Sequence, residues 1–257
     1  PADQSLDEDS LLTFSAANSN PISVADVDDT DNLADIETLT LDLSVSSGSL
    51  SLPTTTGLSF SAGDGLDDAL LTFSGAIADL NAALDGLTFT PDPNFFGDVV
   101  LSLSSADLGF TGSGDPLSDT DTITLHVLSL NDDPLISLPD SALTDEDSPL
   151  TLSAIAVSDV DAASDLLHFT LAVQHGSLAF SDPAALAFID PSLNNSSSLD
   201  FNASLTDFSA ALANGLAYSP DLNFNGADLF SISVNDLGHN GSGGAADISA
   251  SFPISVA

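Results

Sequence analysis

The chain repeats itself in order, and that order limits what it can fold into. "DEDSLLTFS" at Asp7 returns as "DEDSPLTLS" at Asp145. "VADVD", ending at Asp28, returns as "VSDVD", ending at Asp161. "LTFTPDPNFFGDVVLSLSSADLGFTGSG" from Leu87 returns as "LAYSPDLNFNGADLFSISVNDLGHNGSG" from Leu216. The spacing between copies shrinks along the chain, so the first copy carries extra residues in its early loops. Ordered self-similarity marks a duplicated structural unit. The expected division is a first module over 1–130, a linker "NDDP" over 131–134, and a second module over 135–257. The opening "PADQSLDEDS" looks like the region after such a linker, the closing "ISASFPISVA" like the end of a module, and there is no initiator Met. The expectation is two modules taken from a longer array.

Within each copy the hydrophobic period is two. Thr38–Val45 (TLTLDLSV), Asp98–Ser104, Asp121–Leu130, His168–Val173 and Leu229–Val234 alternate apolar and polar residues. That pattern reads as half-buried antiparallel strands. One short helix is expected per copy, in "AIADLNAALDG" and "SLTDFSAALANG". Ile77, Leu80 and Leu84 fall on one helix face, and Gly86 and Gly215 stand where a helix stops. The fold class is all-β, two tandem immunoglobulin-like sandwiches with one short helix each.

Composition narrows the partners. The 257 residues hold 39 Asp and Glu and no Lys or Arg, a formal charge of −39. Binding nucleic acid depends on Lys and Arg at phosphates, so nucleic acid is excluded as a partner; anionic membrane surfaces are disfavoured for the same reason. No apolar run is long enough to span a bilayer. An acidic chain attracts cations or basic partners. Disorder does not follow from the charge, because 43% of residues are hydrophobic and can fill a core. There is no Cys, hence no disulfide framework and no thiolate metal site.

Many of the carboxylates suit strand surfaces and turns. A subset recurs at matched positions: "DED", "DVD", the Asp before "LG", and the linker "NDD". Glu is rare here, yet Glu8 and Glu146 share a motif position. Ca2+ takes six to eight hard oxygen ligands in flexible geometry, and such clusters supply them. With no basic side chain to neutralise these clusters, cations are the remaining means. Mg2+, with its strict octahedron and retained water, fits them less well.

"EDSPLTLSAIAVSDVD", "LAYSPDLNFNGADLFSISVNDLG" and "NDDP" resemble the bacterial cadherin-like tandem repeats of giant surface adhesins. They are also similar to repeats of chondroitin sulfate proteoglycan type. The aromatic–Ser/Thr–Pro–Asp-x-Asn-Phe-x-Gly signature, at Phe89–Gly97 and Tyr218–Gly226, is the most specific part. The resemblance implies cadherin-like sandwiches with Ca2+ bound at the junctions between consecutive modules. It implies one ligand set of Asn131, Asp133, Glu146, Asp159, Asp161 and Asp236. The matching set is Glu8, Asp26, Asp28 and Asp107, with linker ligands from a preceding module. The sequence departs from the pattern in "DVDDTD", which adds Asp29 and Asp31.

The expected function is a non-catalytic structural or adhesion module, extracellular, at a cell surface or in a secreted matrix, with Ca2+ stiffening a tandem array. Its partners would be neighbouring repeats of the same or identical chains. The alternatives are a Ca2+-dependent head-to-tail filament or matrix subunit, or a glycan-binding domain. Against the last stands the lack of aromatic platforms: no Trp and one Tyr. No Gly-x-Ser-x-Gly elbow occurs, and the four His show no catalytic or metal spacing. Asn194, Asn202 and Asn240 match the N-glycosylation pattern.

Overall fold

The computed structural model describes residues 1–26, 38–107, 116–190 and 194–257. The chain forms two compact units, Pro1–Ser129 and Leu130–Ala257. The acidic 131–134 stretch thus lies in the second.

Unit 1 runs β1 (Gln4–Asp7), β2 (Leu12–Phe14), β3 (Thr38–Val45), β4 (Ser49–Ser51), β5 (Ser59–Ala62), β6 (Leu70–Ala76), α1 (Ile77–Leu84), β7 (Leu87–Thr90), β8 (Gly97–Ala106) and β9 (Ser118–Leu128). Unit 2 opens with β10 (Leu135–Ser137), β11 (Ala142–Thr144), β12 (Leu150–Leu152), β13 (Ala156–Ser158), β14 (Leu167–Ala172) and β15 (Gly176–Phe180). It closes with β16 (Ala187–Phe188), β17 (Ser198–Ala203), α2 (Leu205–Asn214), β18 (Leu216–Pro220), β19 (Gly226–Asn235) and β20 (Asp247–Val256).

The duplication survives in the topology. One sheet reads β1-β9-β8-β3-β6-β5 in unit 1 and β11-β20-β19-β14-β17-β16 in unit 2. The second reads β2-β7-β4 and β12-β18-β15. Between these strands pairing is antiparallel except that β1 runs parallel to β9 and β11 to β20, the last strand of each unit. Inward residues of both sheets share one core: Phe14, Leu50 and Phe89 meet Leu41, Leu43 and Leu101 in unit 1. Each such side chain, fully buried, contributes about 1.5–3 kcal/mol.

The expected helices form. Leu80 and Leu84 are buried and Ile77 packs beside the core. In α2 the Ser204 hydroxyl accepts the Asp207 N–H at 3.1 Å, an N-cap that Ala76 cannot give α1. Gly215, at φ 117°, donates its N–H to Ala211 and Leu212 carbonyls and ends α2. Ser204→Ala is expected to lower the stability of unit 2 by about 1 kcal/mol, read by urea unfolding.

The signature turn is structural. Asp9 accepts the Asn94 N–H at 3.0 Å and Asp147 accepts that of Asn223 at 2.8 Å. The second Asp of each "DED" therefore ties its loop to the Pro-Asp-x-Asn-Phe turn.

One buried polar pair separates the copies. Tyr218, fully buried, donates to Asp228 Oδ2 at 2.8 Å and to the His175 carbonyl at 2.9 Å. In unit 1 the matching residues are Phe89 and Val99, both apolar and buried. Burial, followed by the hydrogen bond to Asp228, pushes the Tyr218 phenol above its usual value of 10.0. A phenol whose folded pKa is raised stabilises fully below the unfolded value and loses that contribution as pH rises past it. Unit 2 is expected to weaken above about pH 10, and Tyr218→Phe to remove that dependence in calorimetry.

Candidate metal centre

β19 and β20 pair from Asn235 with Asp247 at one end to Gly226 with Val256 at the other. The first end carries the expected ligands. Asp236 follows β19, and Asp159 and Asp161 follow β13. Asp236 is 5% exposed. Its Oδ1 accepts N–H bonds from Gly238 (2.9 Å) and Ala246 (2.8 Å), while Oδ2 faces the Asn131 amide at 2.7 Å. The Asp132 N–H reaches Asp161 Oδ2 at 2.6 Å. Asp159 Oδ1 takes the N–H groups of Asp161 (2.9 Å) and Ala162 (3.0 Å).

Asp159 Oδ2 is buried and has no hydrogen-bond partner. Burial holds this carboxyl above the usual range, with the Asp161 and Asp236 carboxylates adding to the rise against two backbone hydrogen bonds. A buried carboxylate oxygen ordinarily has a partner. Here the remaining neighbours are acidic, and the chain holds no Lys or Arg.

The acidic stretch is seated on the loop after β19. Asn131 N–H donates to the Ser242 carbonyl at 2.8 Å. Gly241, at φ 83°, sits so close that a Cβ would lie 2.7 Å from Asn131 N. Only glycine lets the backbone pass there. Sequence reasoning missed this contact. It also missed Asn240, read only as a glycosylation match. The Asn240 amide donates to the Asp161 carbonyl and, at 3.2 Å, to Asp165 Oδ2. A loop amide directly before such a glycine was the available signal.

Not every expected ligand joins this end. Asp133 is exposed. Glu146 is exposed and lies elsewhere: its N–H donates to the Ala257 carbonyl, next to the Thr144–Val256 pair. That is the far end of β20, about 30 Å from Asp236 at about 3.3 Å per residue. The parallel pairing of β11 with β20 puts it there. Glu8 repeats this in unit 1, buried and bonded through its N–H to the Leu128 carbonyl. Asp107 is at the opposite end of unit 1; its N–H donates to the Leu117 carbonyl and its Oδ1 accepts the Leu117 N–H, as Asp236 does with Ala246. Asp26 lines a groove with Asp107. Asp28 lies outside the described residues. Among the described residues, no three His, Asp or Glu side chains already close around one point.

The donors at the unit 2 end are carboxylate, amide and carbonyl oxygens, which suit a hard divalent cation. Turning over the Asn131 amide would present its oxygen. The His residues serve elsewhere, His168 on Asp200 at 2.6 Å and His126 on Asp98 at 2.7 Å. No helix among the described residues is long and apolar enough to cross a membrane.

A scan against family models and a comparison with curated proteins each find no match. Solved structures of cadherin extracellular domains are similar. Protocadherin gamma B2 domains 1–5 are 12% identical over 81% of this chain and 32% of theirs, with a TM-score of 0.36. Human CDH23 EC21-23 is 13% identical over 100% of this chain and 73% of its own, TM-score 0.37. Mouse cadherin-23 EC22-24 is 14% identical over 100% and 63%, TM-score 0.37. What the acidic end can do chemically rests on this chain's own residues.

Proposed function

We propose that the chain is a non-catalytic, extracellular spacer or adhesion module whose acidic ends bind Ca2+, each ion joining consecutive modules and stiffening a tandem array. The observation that carries this reading is the buried, unpartnered Asp159 Oδ2 between two further carboxylates. Asp159, Asp161 and Asp236 would hold the ion, with Asn131 and Asp133 from the linker. Glu146, beside the far end of β20, is too remote from Asp236 to share that ion. Asp26, Asp28 and Asp107 would serve the first unit in the same way. Without the ion these carboxylates repel; with it they are drawn to one point.

Extracellular modules bind at about 10⁻⁴–10⁻³ M. Calcium at 100 times Kd adds about 2.7 kcal/mol per site. The test is Ca2+ titrated into EDTA-stripped protein, followed by calorimetry and light scattering. A higher melting temperature with constant monomer mass is expected. Scattering that climbs with Ca2+ would replace the spacer by a head-to-tail filament. No change in either would remove the calcium reading.

A further inference from the structure

The two copies treat the seam between helix and loop differently. In unit 1, polar side chains stitch it shut. Asn81 Oδ1 accepts the Val24 N–H at 2.9 Å, and Asn81 Nδ2 donates to the Val24 carbonyl at 2.9 Å. Asp85 Oδ1, just past α1, accepts the Ala16 N–H at 2.9 Å. The Gly86 N–H donates to the Phe14 carbonyl at 2.8 Å.

The repeat aligns "DLNAALDG" from Asp79 with "DFSAALANG" from Asp207, and "TFSA" from Thr13 with "TLSA" from Thr151. Ser209 thus stands in the place of Asn81, Asn214 in that of Asp85 and Ala154 in that of Ala16, with Ala213 an extra residue in α2. The stitches do not survive. The Ser209 hydroxyl and the Asn214 amide are exposed and form no hydrogen bond among the described residues. The Ala154 N–H has no partner there either, and the Gly215 N–H turns back to Ala211 and Leu212. The seam stays open as a groove of about 640 Å³ between α2 and Ser153–Ala156. Its walls include Ser153, Ser181, Ser209, Leu212 and Asn214, and none of its lining residues is charged.

We propose that this groove binds a neutral, N-acetylated saccharide. Its volume suits a small-molecule site, which ordinarily spans about 300–1,000 Å³. Charge selects a neutral ligand. An anion meets a chain of net charge −39, and a cation finds no carboxylate in the lining. Unit 1 names the missing group. There one carboxamide offers a donor and an acceptor across the seam. An acetamido group is the same planar amide, carried by the ligand. In the groove its carbonyl accepts the Ala154 N–H, its N–H donates to the Ser209 hydroxyl, and its methyl lies on Leu212. The ring hydroxyls meet Ser153, Ser181 and Asn214. Recognition by amide and hydroxyl groups needs no aromatic platform, so the lack of Trp does not stand against it. The site makes no use of calcium.

The test is amide NMR of the full chain in EDTA, titrated with N,N′-diacetylchitobiose. Cellobiose is the control, since it carries hydroxyls where the first sugar carries acetamido groups. Saturable shifts at Ala154, Ser209 and Asn214 are expected with N,N′-diacetylchitobiose, and binding at least about tenfold weaker with cellobiose. Ser209→Asn puts the unit 1 amide back into the seam and should weaken the sugar at least about tenfold. No saturable shift, equal binding of cellobiose, or binding untouched by Ser209→Asn would each overturn the proposal. N-acetylalanine methylamide presents the same amide as a peptide. If it binds these residues more tightly than the sugar, the occupant is a peptide and the saccharide is overturned. The comparison of the two sugars uses the parent chain, so it decides even where Ser209→Asn fails to fold. Because calcium is absent throughout, failure here leaves the calcium titration standing, and the reverse holds.

Discussion

Replacing Asp228 by valine is expected to cost unit 2 about 3–5 kcal/mol, a large part of a domain's stability. Asp228 is 4% exposed. Its Oδ1 accepts the N–H groups of Gln174 (2.9 Å) and Leu229 (2.7 Å). Its Oδ2 accepts the His175 N–H (3.1 Å) and the Tyr218 hydroxyl (2.8 Å). Valine leaves the loop donors and the phenol without that acceptor. The repeat supplies the control, since Phe89 and Val99 fill the same two places in unit 1. There the loop before β4 is held from outside, by Asp92 accepting from Ser47 Oγ at 2.5 Å and Gly48 N–H at 3.0 Å. Those bonds, the Ser47 hydroxyl first, hold the Asp92 carboxyl below its usual range. Tyr218→Phe alone should cost about 1–2 kcal/mol, because Asp228 keeps its backbone donors. The double variant Tyr218→Phe/Asp228→Val should lose less than the sum of the two single losses, by about 1 kcal/mol or more. Urea unfolding of all four chains measures this. An Asp228→Val chain as stable as the parent would show that the buried carboxylate holds nothing.

The alternation of β3 was legible because each inward residue reaches the core; Leu39, Leu41 and Leu43 are all buried. The β9 strand was read from Asp121, yet it begins at Ser118. Ser118–Asp121 are exposed and pair with Leu103–Ala106 through backbone and hydroxyl hydrogen bonds, so no hydrophobic period marks them. The ligand sets were legible as chemistry and only in part as geometry. Repeats equate Glu8 with Glu146, but they do not say which end of a sandwich either occupies. That depends on the parallel pairing of β1 and β11, strands too short to carry a pattern. Asp228 did leave a signal. It stands in the inward phase of β19, with Phe230, Ile232 and Val234, and its appearance accompanies Tyr in place of Phe.

Asp159→Asn is expected to act in opposite directions with and without calcium. Metal-free, the parent chain buries an oxygen with no partner beside two carboxylates. Asparagine keeps Oδ1 as acceptor for Asp161 and Ala162 and turns the other atom into a donor facing acidic neighbours. In EDTA near neutral pH that should stabilise unit 2 by about 1 kcal/mol. The pH dependence has a defined sign. The folded pKa of Asp159 is raised above 3.8, so its contribution is greatest below the unfolded value and is lost as pH rises through the folded one. Acidifying the metal-free parent should therefore recover stability that the asparagine chain already has. In calcium the order reverses. The parent gains about 2.7 kcal/mol per site at 100 times Kd, and the variant, short of one anionic ligand, gains less. Calorimetry of both chains in EDTA and in Ca2+ reads the crossing. If Asp159→Asn shifts melting the same way in both, the unpartnered oxygen is a local strain, and the ion does not bind there.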